Sequence, residues 1–330
     1  MLSDDILMKL FKIRNAHIEN PSPSELKVLK REVITESKTT PTIMPYSTKA
    51  YYELTSARNR NLIYPDEQIE LRKKTVGFFG MSVGSHAALT WVMQIRPYYI
   101  KISDPDVVDA TNLNRLRFPW SAVDKYKVDV VKKKIQAMHP LIRVTISKKT
   151  DTKSIKAIFF GKPKLDAVVD EIDNFEHKIL LRKFARELGI PLVSSVDVGN
   201  NVFVDVERYD LDPKTQMFLG RVENPENIDF TLLDEQERKK FIIQLVGLDN
   251  NSERMLNSLF AINANVPTWP QLGATASIAG GIVTTILTKI LTGSLLRSSR
   301  YYVMLDDIFG SDDDQELTQK KKATLLQHIT

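Results

Sequence analysis

Between residues 75 and 196 the chain alternates short apolar runs with amphipathic stretches, and this alternation limits the possible fold more than any other feature. The runs have the length of strands, and the stretches between them have the length and spacing of helices. Repeated strand–helix–strand units form a mostly parallel sheet with helices on both faces. The sequence therefore predicts an α/β fold with a doubly wound, Rossmann-like sheet. The predicted strands are 75–79, 99–103, 142–147, 165–169 and 192–196, and the helices are 82–95, 124–138, 151–160 and 175–188.

The pattern divides the chain into three parts. Residues 1–48 show helical spacing and then a proline-containing linker from Thr39 to Thr48, so we predict an N-terminal helical extension. Residues 49–310 are predicted to form the sheet domain, and the charged residues 311–330 a frayed tail. Within the sheet domain, after residue 200, we predict strands at 201–210 and 301–307 and helices at 236–246, 251–263 and 271–292.

The composition excludes several classes of function. The 46 basic and 41 acidic side chains give a net charge of only +5, spread along the chain, so a nucleic-acid-binding surface is not indicated. The absence of cysteine excludes disulfides, thiolate zinc sites and a thiol nucleophile. The N-terminus lacks the pattern of a signal peptide, and the apolar run at 276–287 is shorter than a bilayer requires. We therefore expect a cytoplasmic protein without a membrane span.

A glycine-containing turn follows the first predicted strand, in the stretch "FFGMSVGSHA". Gly80 permits a tight turn, Gly84 permits close helix–strand packing, and the N–H groups at the start of the helix can face an anion. The spacing lacks the middle glycine of G-x-G-x-x-G, and no Lys-Ser or Lys-Thr pair follows as in a P-loop. Taken alone, the turn is equally consistent with an ordinary strand-to-helix connection.

The stretch "DPDVVDATNLNRLRF" follows the second predicted strand and is unusually rich in polar groups. Asp104 stands where a carboxylate of a mononucleotide-binding sheet accepts hydrogen bonds from ribose hydroxyls, although it could equally be a turn residue. Asp106, Asn112, Arg115 and then Lys127 follow it. Because a triphosphate carries about four negative charges, several cations close together indicate a triphosphate rather than a dinucleotide.

A third acidic group, in "VVDEIDNF", follows the fourth predicted strand. Carboxylates at Asp170, Glu171 and Asp173 could hold Mg²⁺ against triphosphate oxygens. The alternative is that Asp173 or Asn174 only caps the next helix. The five histidines form neither a metal-ligand pair nor a recognisable catalytic triad, so we assign them no chemistry.

In this order and spacing, the motifs resemble the ThiF/MoeB/HesA adenylyltransferases, which are related to ubiquitin-activating enzymes. The resemblance covers about 55–210, with a closing helix in "TWPQLGATASIAGGIVTTILTKILTG". The glycine turn, G-x-S-V-G, is similar to that of a bacterial subgroup. The resemblance implies that Asp104 binds the ribose and that Asp173 binds Mg²⁺. The residues implied to contact the triphosphate are Arg115, Lys127 and Arg60, the second arginine in "ARNRN". It also implies that the nucleotide-binding residues include Gly80, Gly84, Asp106 and Asn112.

The resemblance implies an enzyme that uses ATP and Mg²⁺ to activate a carboxylate as an acyl-adenylate. The carboxylate could belong to a ubiquitin-like protein, a peptide or a small acid. Because cysteine is absent, we expect no protein thioester. The family usually forms homodimers, in which the equivalent of Arg60 often reaches the partner's nucleotide. Two alternatives stay open: a catalytically inactive nucleotide-binding or partner-binding relative, and an NAD-binding oxidoreductase.

Overall fold

The computed structural model of the chain describes residues 3–37, 47–230, 232–247, 251–262, 266, 268–310, 316 and 318–323. Most of the predicted linker at 39–48 lies outside these residues. In chain order, the helices and strands are α1 (Asp4–Arg14), α2 (Pro23–Ser37), α3 (Thr48–Ser56), α4 (Pro65–Lys73), β1 (Val76–Phe79), α5 (Val83–Ile95), β2 (Tyr99–Ser103), α6 (Lys127–Met138), β3 (Arg143–Ser147), α7 (Thr152–Phe160), β4 (Ala167–Asp170), α8 (Phe175–Leu188), β5 (Pro191–Val198), β6 (Asn201–Arg208), α9 (Glu235–Val246), α10 (Glu253–Ala261), α11 (Gly273–Leu291), β7 (Ser299–Val303) and α12 (Leu305–Phe309).

The seven strands form one sheet in the order β3-β2-β1-β4-β5-β6-β7. The pairs from β3 to β5 are parallel, whereas β6 and β7 add in antiparallel orientation. Because β1 lies between β2 and β4, the chain first winds outward to β3 and then crosses back to β4. Ligands of such sheets bind in the crevice outside the carboxyl ends of the strands at this reversal. The predicted doubly wound α/β fold is confirmed, and it places β1, β2 and β4 around one crevice.

Both faces of the sheet are covered by helices. The neighbouring residues Phe78 and Phe79 of β1 point to opposite sides and belong to different buried clusters. Phe78 packs in the cluster that contains residues of α5, α6 and α11, and Phe79 packs with residues of α7 and α8. Burial on both faces explains why the strands are continuous apolar runs.

Helix α11 corrects the expectation that the apolar run at 276–287 is too short to cross a bilayer. The helix spans 19 residues, and by length and composition it could cross a membrane, although half of its apolar window is buried inside the protein. Its buried residues pack against α5, and Gly280 allows the closest approach. A Cβ at Gly280 would lie 2.7 Å from the main-chain carbon of His86. In this fold α11 is a core helix that supports α5.

The ends of the chain depart from the predictions. The predicted strand at 301–307 ends at Val303, and the next residues form α12, where Asp306 accepts hydrogen bonds from the side chains of Asn200 and Asn201. Residues 318–323 are helical and Lys322 is only 7% exposed, so the expectation of a frayed tail is wrong for these residues. Near the N-terminus, α1, α2 and α3 share a small apolar core of their own.

Candidate active site

The turn after β1 requires glycine. Gly80 has φ +91°, and a Cβ there would lie 2.2 Å from the main-chain oxygen of Glu171. The N–H of Glu171 donates to the Phe79 carbonyl at 2.7 Å, which fixes this contact. A Cβ at Gly84 would lie 3.1 Å from Glu171 Cγ. The turn after β1 therefore packs directly on the turn after β4, at the crevice predicted by the strand order.

The N-terminus of α5 faces the same crevice. This helix has no side-chain hydrogen bond at its N-cap, Ser82. The Ser82 hydroxyl is buried and has no hydrogen-bond partner among the described residues. The first N–H groups of a helix lack intrahelical acceptors and carry the positive end of the helix dipole. An uncapped helix N-terminus beside a glycine turn is suited to bind a phosphate group.

Asp104 connects the turns after β1 and β2. Its Oδ2 accepts a hydrogen bond from the Met81 N–H at 2.5 Å, and its Oδ1 accepts one from the Asp106 N–H at 2.8 Å. Burial raises the pKa of Asp104, while the charge of Lys127 and both N–H groups act in the opposite direction. Asp104 therefore braces the glycine turn, a role that adds to its predicted contact with ribose.

Lys127 brings a buried ammonium group to this edge. Its side chain is 9% exposed, and Nζ lies 2.8 Å from Oδ2 of Asp106, whose side chain is 61% exposed. The Lys127 N–H also donates to the Asp106 carbonyl at 2.9 Å. Asp106 holds Lys127 in place, and its contact with the nucleotide stays a prediction. An ammonium has three donors, so Lys127 retains the capacity to bind a phosphate.

The 3-10 turn Ala110–Asn114 positions Arg115. Asn112 is buried, and its side-chain oxygen accepts from the Asp109 N–H at 3.2 Å, so this amide shapes the turn. His86 Nε2 lies 2.6 Å from the Arg115 carbonyl, and Asn114 Nδ2 donates to the Gln271 carbonyl at 2.8 Å. These contacts tie the turn to α5 and to the approach to α11.

The Arg115 guanidinium is only partly engaged by the protein. Its Nη1 donates to Asn114 Oδ1 at 3.1 Å, whereas Nε is buried without a partner among the described residues. Burial lowers the pKa of Arg115, and the nearby carboxylates of Asp197 and Asp173 partly offset this effect. Arg115 therefore stands in a shielded position with donors available to an anion.

Of the three carboxyl groups at the end of β4 and in the turn after it, two are not free anions. Asp170 is fully buried, with Arg182 Nη1 at 2.7 Å and Lys178 Nζ at 3.3 Å. Glu171 accepts hydrogen bonds from the Ser195 N–H at 3.0 Å and the Ser195 hydroxyl at 2.6 Å. Desolvation raises the pKa of Glu171 to about 8, so this group is mostly protonated at neutral pH. The prediction that Asp170 and Glu171 could hold Mg²⁺ is therefore wrong.

Asp173 and Asn174 have different roles. Asn174 is the N-cap of α8, and its side-chain oxygen accepts from the His177 N–H at 2.9 Å. Asp173 is exposed and takes no part in this cap. The capping alternative thus applies to Asn174, and the Asp173 carboxylate is available to a ligand.

Arg60 lies at the other edge of the sheet. Its Nη1 donates to the Ile13 carbonyl at 3.0 Å, and the neighbouring Asn59 side chain donates to the Gln94 carbonyl at 2.7 Å. Gln94 is close to the C-terminal end of α5, and a helix of this length extends about 19 Å from its N-terminus. A single chain therefore does not bring Arg60 to Gly80. Its role in a partner's site stays a prediction.

The sequence analysis missed Asp197, at the carboxyl end of β5. Asp197 is 5% exposed, and its Oδ1 accepts from Gln271 Nε2 at 2.9 Å. The signal was present, because an aspartate in the apolar stretch "PLVSSVDV" is unusual for a buried strand.

The arrangement suits a polyphosphate. Gly80 and Gly84 form a cradle that side chains would fill, the N-terminus of α5 is uncapped, and Lys127 and Arg115 supply positive charge. Among the described residues, no group of three or more His, Asp or Glu side chains could hold a metal ion by itself. Mg²⁺ commonly binds through one or two carboxylates and the phosphates of a substrate, so Asp173 fits such a site.

Comparisons with known proteins find a matching family and two solved structures with the same fold. The model of the ThiF family matches residues 56–324. An uncharacterised protein of Mycobacterium tuberculosis (strain CDC 1551 / Oshkosh), MT1398, is 25% identical to this chain over 274 residues. The match covers 82% of this chain but only 38% of the length of MT1398. The crystal structure of selenomethionine PaaA has a TM-score of 0.54 at 20% identity, covering 88% of this chain and 82% of PaaA. That of Escherichia coli MccB with AMPCPP and MccA has a TM-score of 0.50 at 16% identity, covering 91% of this chain and 83% of MccB. At these identities the two structures show the shared fold.

Proposed function

The chain belongs to the ThiF family, and we propose that it is an ATP-dependent adenylyltransferase that activates a carboxylate as an acyl-adenylate. The observation that carries the proposal is the convergence of the glycine turn, buried Asp104 and the cations Lys127 and Arg115 at one edge of the sheet. The structure of MccB, which shares the fold, contains the nucleotide AMPCPP together with MccA, and this supports the proposal.

In this proposal the ribose of ATP meets Asp104, and the phosphates meet the glycine turn, Lys127 and Arg115. Asp173 would hold Mg²⁺, which neutralises phosphate charge when bound. Glu171 packs against the glycine turn that contains Gly80 and Gly84. Because its raised pKa keeps it mostly protonated at neutral pH, it adds little negative charge beside the phosphates. Lys127, Arg115 and the uncapped N-terminus of α5 supply the positive charge for the phosphates, and Mg²⁺ would offset the carboxylate of Asp173.

The proposed reaction requires no nucleophile from the protein. A carboxylate oxygen of the substrate forms a bond to the α-phosphorus of ATP, and the bond from that phosphorus to the bridging oxygen breaks. The products are an acyl-adenylate and pyrophosphate. The main requirement is to hold two anions together and to stabilise the charge of the departing pyrophosphate. In this proposal Lys127 and Arg115 supply that stabilisation.

We propose that the substrate enters through a cavity of about 900 Å³ beside the carboxyl end of β5. It is bounded by the β5–β6 turn, α10, the start of α11 and α12, with Gly199, Met255 and Thr275 among its lining residues. A cavity of this size fits a peptide end or a small acid better than a whole protein. We also propose a homodimer, in which Arg60 would act in the partner's site, and a cytoplasmic location.

The test of the function is ATP–pyrophosphate exchange with candidate carboxylates, combined with calorimetric titrations of AMPCPP and NAD. Exchange that depends on a carboxylate supports the proposal. AMPCPP binding without exchange for any carboxylate would favour an inactive relative, and NAD binding without AMPCPP binding would favour an oxidoreductase.

Asp173→Asn is expected to reduce pyrophosphate exchange by at least a hundredfold without loss of stability. The side chain is exposed and outside the helix cap, so its carboxylate matters only to a ligand. The matched control is Asn174→Ala, which removes the cap and should lower the free energy of unfolding by about 1 kcal/mol with little effect on exchange. If both variants lose stability and Asp173→Asn keeps its exchange activity, the role given to Asp173 is wrong.

During turnover, the protein is expected to stay free of covalent acyl groups. The chain has no cysteine, and serine or threonine needs an adjacent base to become nucleophilic. His86 is held against the Arg115 carbonyl, where it positions Arg115, and burial lowers the pKa of His86. Intact-mass spectra with the true substrate and ATP provide the measurement. A stable one-to-one acyl-protein species would show that another side chain replaces the thiol.

A further inference from the structure

Asp197 has a carboxylate oxygen that the protein leaves unmatched. It lies three residues beyond Ser194, the last residue of β5 that pairs with β4. One oxygen, Oδ1, accepts a hydrogen bond from Gln271. The other, Oδ2, is buried and has no hydrogen-bond donor from another described residue. A buried unmatched oxygen is unfavourable, above all when it is charged, so its presence at the edge of the crevice indicates a ligand.

Two other charged groups share this space. Asp173 comes from the loop after β4, and Arg115 from the turn after β2. Asp170 and Ser194 pair across β4 and β5, and Asp173 and Asp197 each follow that pair by three residues. Gln271 links Asp197 to the turn of Arg115, because its side chain donates to Asp197 and its carbonyl accepts from Asn114, the residue before Arg115. Arg115 uses Nη1 for its own turn and keeps Nε unpartnered, so it does not neutralise Asp197 directly. One guanidinium and two carboxylates thus surround one region of the crevice.

A divalent cation with a phosphate fits these three groups. Two nearby carboxylates repel each other unless a cation lies between them, and hard divalent cations prefer carboxylate and phosphate oxygens. The guanidinium can then pair with the phosphate that the cation binds. We propose that Asp197 and Asp173 together hold one divalent cation, such as Mg²⁺, against the phosphates of the bound nucleotide. This inference rests on the proposed function, because the phosphates complete the site.

The stability of the metal-free protein offers a readout that is independent of activity. Asp197 is buried, and its Oδ2 has no donor from another described residue. An ionised carboxylate in such a position destabilises the fold unless a cation lies beside it. Asp197→Asn should melt at the same temperature as the unmodified protein or higher.

The experiment uses the full chain and two variants, Asp197→Asn and the control Asp66→Asn. Asp66 is exposed in the first turn of α4, at the opposite edge of the sheet, so its substitution changes net charge alone. Mn²⁺ binding is followed by electron paramagnetic resonance with and without AMPCPP, and AMPCPP binding is measured separately in EDTA. We expect one Mn²⁺ per unmodified chain in the presence of AMPCPP. Asp197→Asn should weaken Mn²⁺ binding at least tenfold and leave AMPCPP binding in EDTA unchanged, while Asp66→Asn should match the unmodified chain.

The outcomes separate this inference from the proposed function. Equal Mn²⁺ affinity in Asp197→Asn and the unmodified chain would overturn the cation site. A fall of several degrees in the metal-free melting temperature, with loss of AMPCPP binding in EDTA, would also overturn it and make Asp197 a structural residue. AMPCPP binding without Mn²⁺ binding by the unmodified chain would remove the cation site and leave the function standing. Mn²⁺ binding that depends on Asp197 but not on AMPCPP would overturn the part of the inference that gives the cation phosphate ligands, and absence of any AMPCPP binding would contradict the proposed function.

Discussion

Replacing Gly80 with alanine is expected to lower the free energy of unfolding by about 2–4 kcal/mol and to abolish nucleotide binding. The residue has φ +91°, and the new Cβ would lie 2.2 Å from the Glu171 carbonyl oxygen. That oxygen belongs to the main chain and cannot rotate away, because the Glu171 N–H is bonded to Phe79. The turns after β1 and β4 must therefore separate. This separation also disturbs the hydrogen bond that the Met81 N–H donates to Asp104.

Gly189→Ala is the matched control for this prediction. Gly189 also has a positive φ, +59°, at the end of α8, but a Cβ there would meet nothing within 4 Å. Only the conformational penalty remains, about 1 kcal/mol, and nucleotide binding should be unchanged. Urea unfolding and AMPCPP titration measure both quantities. If the two substitutions cost the same, the close contact between the turns is not a constraint on this fold.

The sheet and its helices were predictable because strands buried on both faces are continuous apolar runs, which alternate with amphipathic helices in the sequence. The strand predicted at 99–103 and the helix predicted at 175–188 match β2 and α8 residue for residue. The regularity ends after β5, where β6 and β7 turn antiparallel and the connections lengthen. There the local pattern cannot separate a strand from a helix start, and the prediction for 301–307 joined the end of β7 to α12.

The different roles of Asp170, Glu171 and Asp173 could not be predicted from their spacing. The three lie within four residues and look alike in the sequence. Their differences come from distant partners: Arg182 for Asp170 and Ser195 for Glu171. Asp173 has no such partner among the residues that the structure describes, and its carboxylate is available to a ligand. Arg182 gave a signal, because it lies on the same face of α8 as the buried residues Ile179 and Ala185.

Arg182→Met is expected to lower the free energy of unfolding by about 3–5 kcal/mol. The guanidinium is 1% exposed, 2.7 Å from Asp170 and 2.8 Å from Glu207, and it stacks on the Phe218 ring at 3.9 Å. Methionine fills similar volume but leaves both carboxylates buried without this partner. Lys178, 3.3 Å from Asp170, can compensate only in part. Because Asp170 ends β4, the loop that carries Asp173 should also shift.

The stability lost in Arg182→Met could come from an unpaired buried charge or from poorer packing, and its pH dependence distinguishes these two causes. Burial alone would raise the pKa of Asp170, but Lys178 and Arg182 outweigh it and the pKa is lowered. In the unmodified protein, the stability from Asp170 is therefore present above its unfolded pKa and is lost only as the pH falls through the lower folded value. Without Arg182, burial dominates and folding favours the protonated acid. The variant should therefore recover stability, relative to the unmodified protein, as the pH falls from about 7 to about 5.

Arg186→Met, one turn further along α8, provides the control for Arg182→Met. Arg186 lies 2.7 Å from Glu226, but the two side chains are 32% and 42% exposed. An exposed pair of this kind contributes about 0–1 kcal/mol, and its loss leaves no buried charge unpaired. Urea unfolding at several pH values would compare the two variants. Equal losses in both, or a loss in Arg182→Met that does not change with pH, would mean that Asp170 and Glu207 find water or another cation. In that case Asp170 could be a free ligand beside Asp173, and the separate roles assigned to these two aspartates would be wrong.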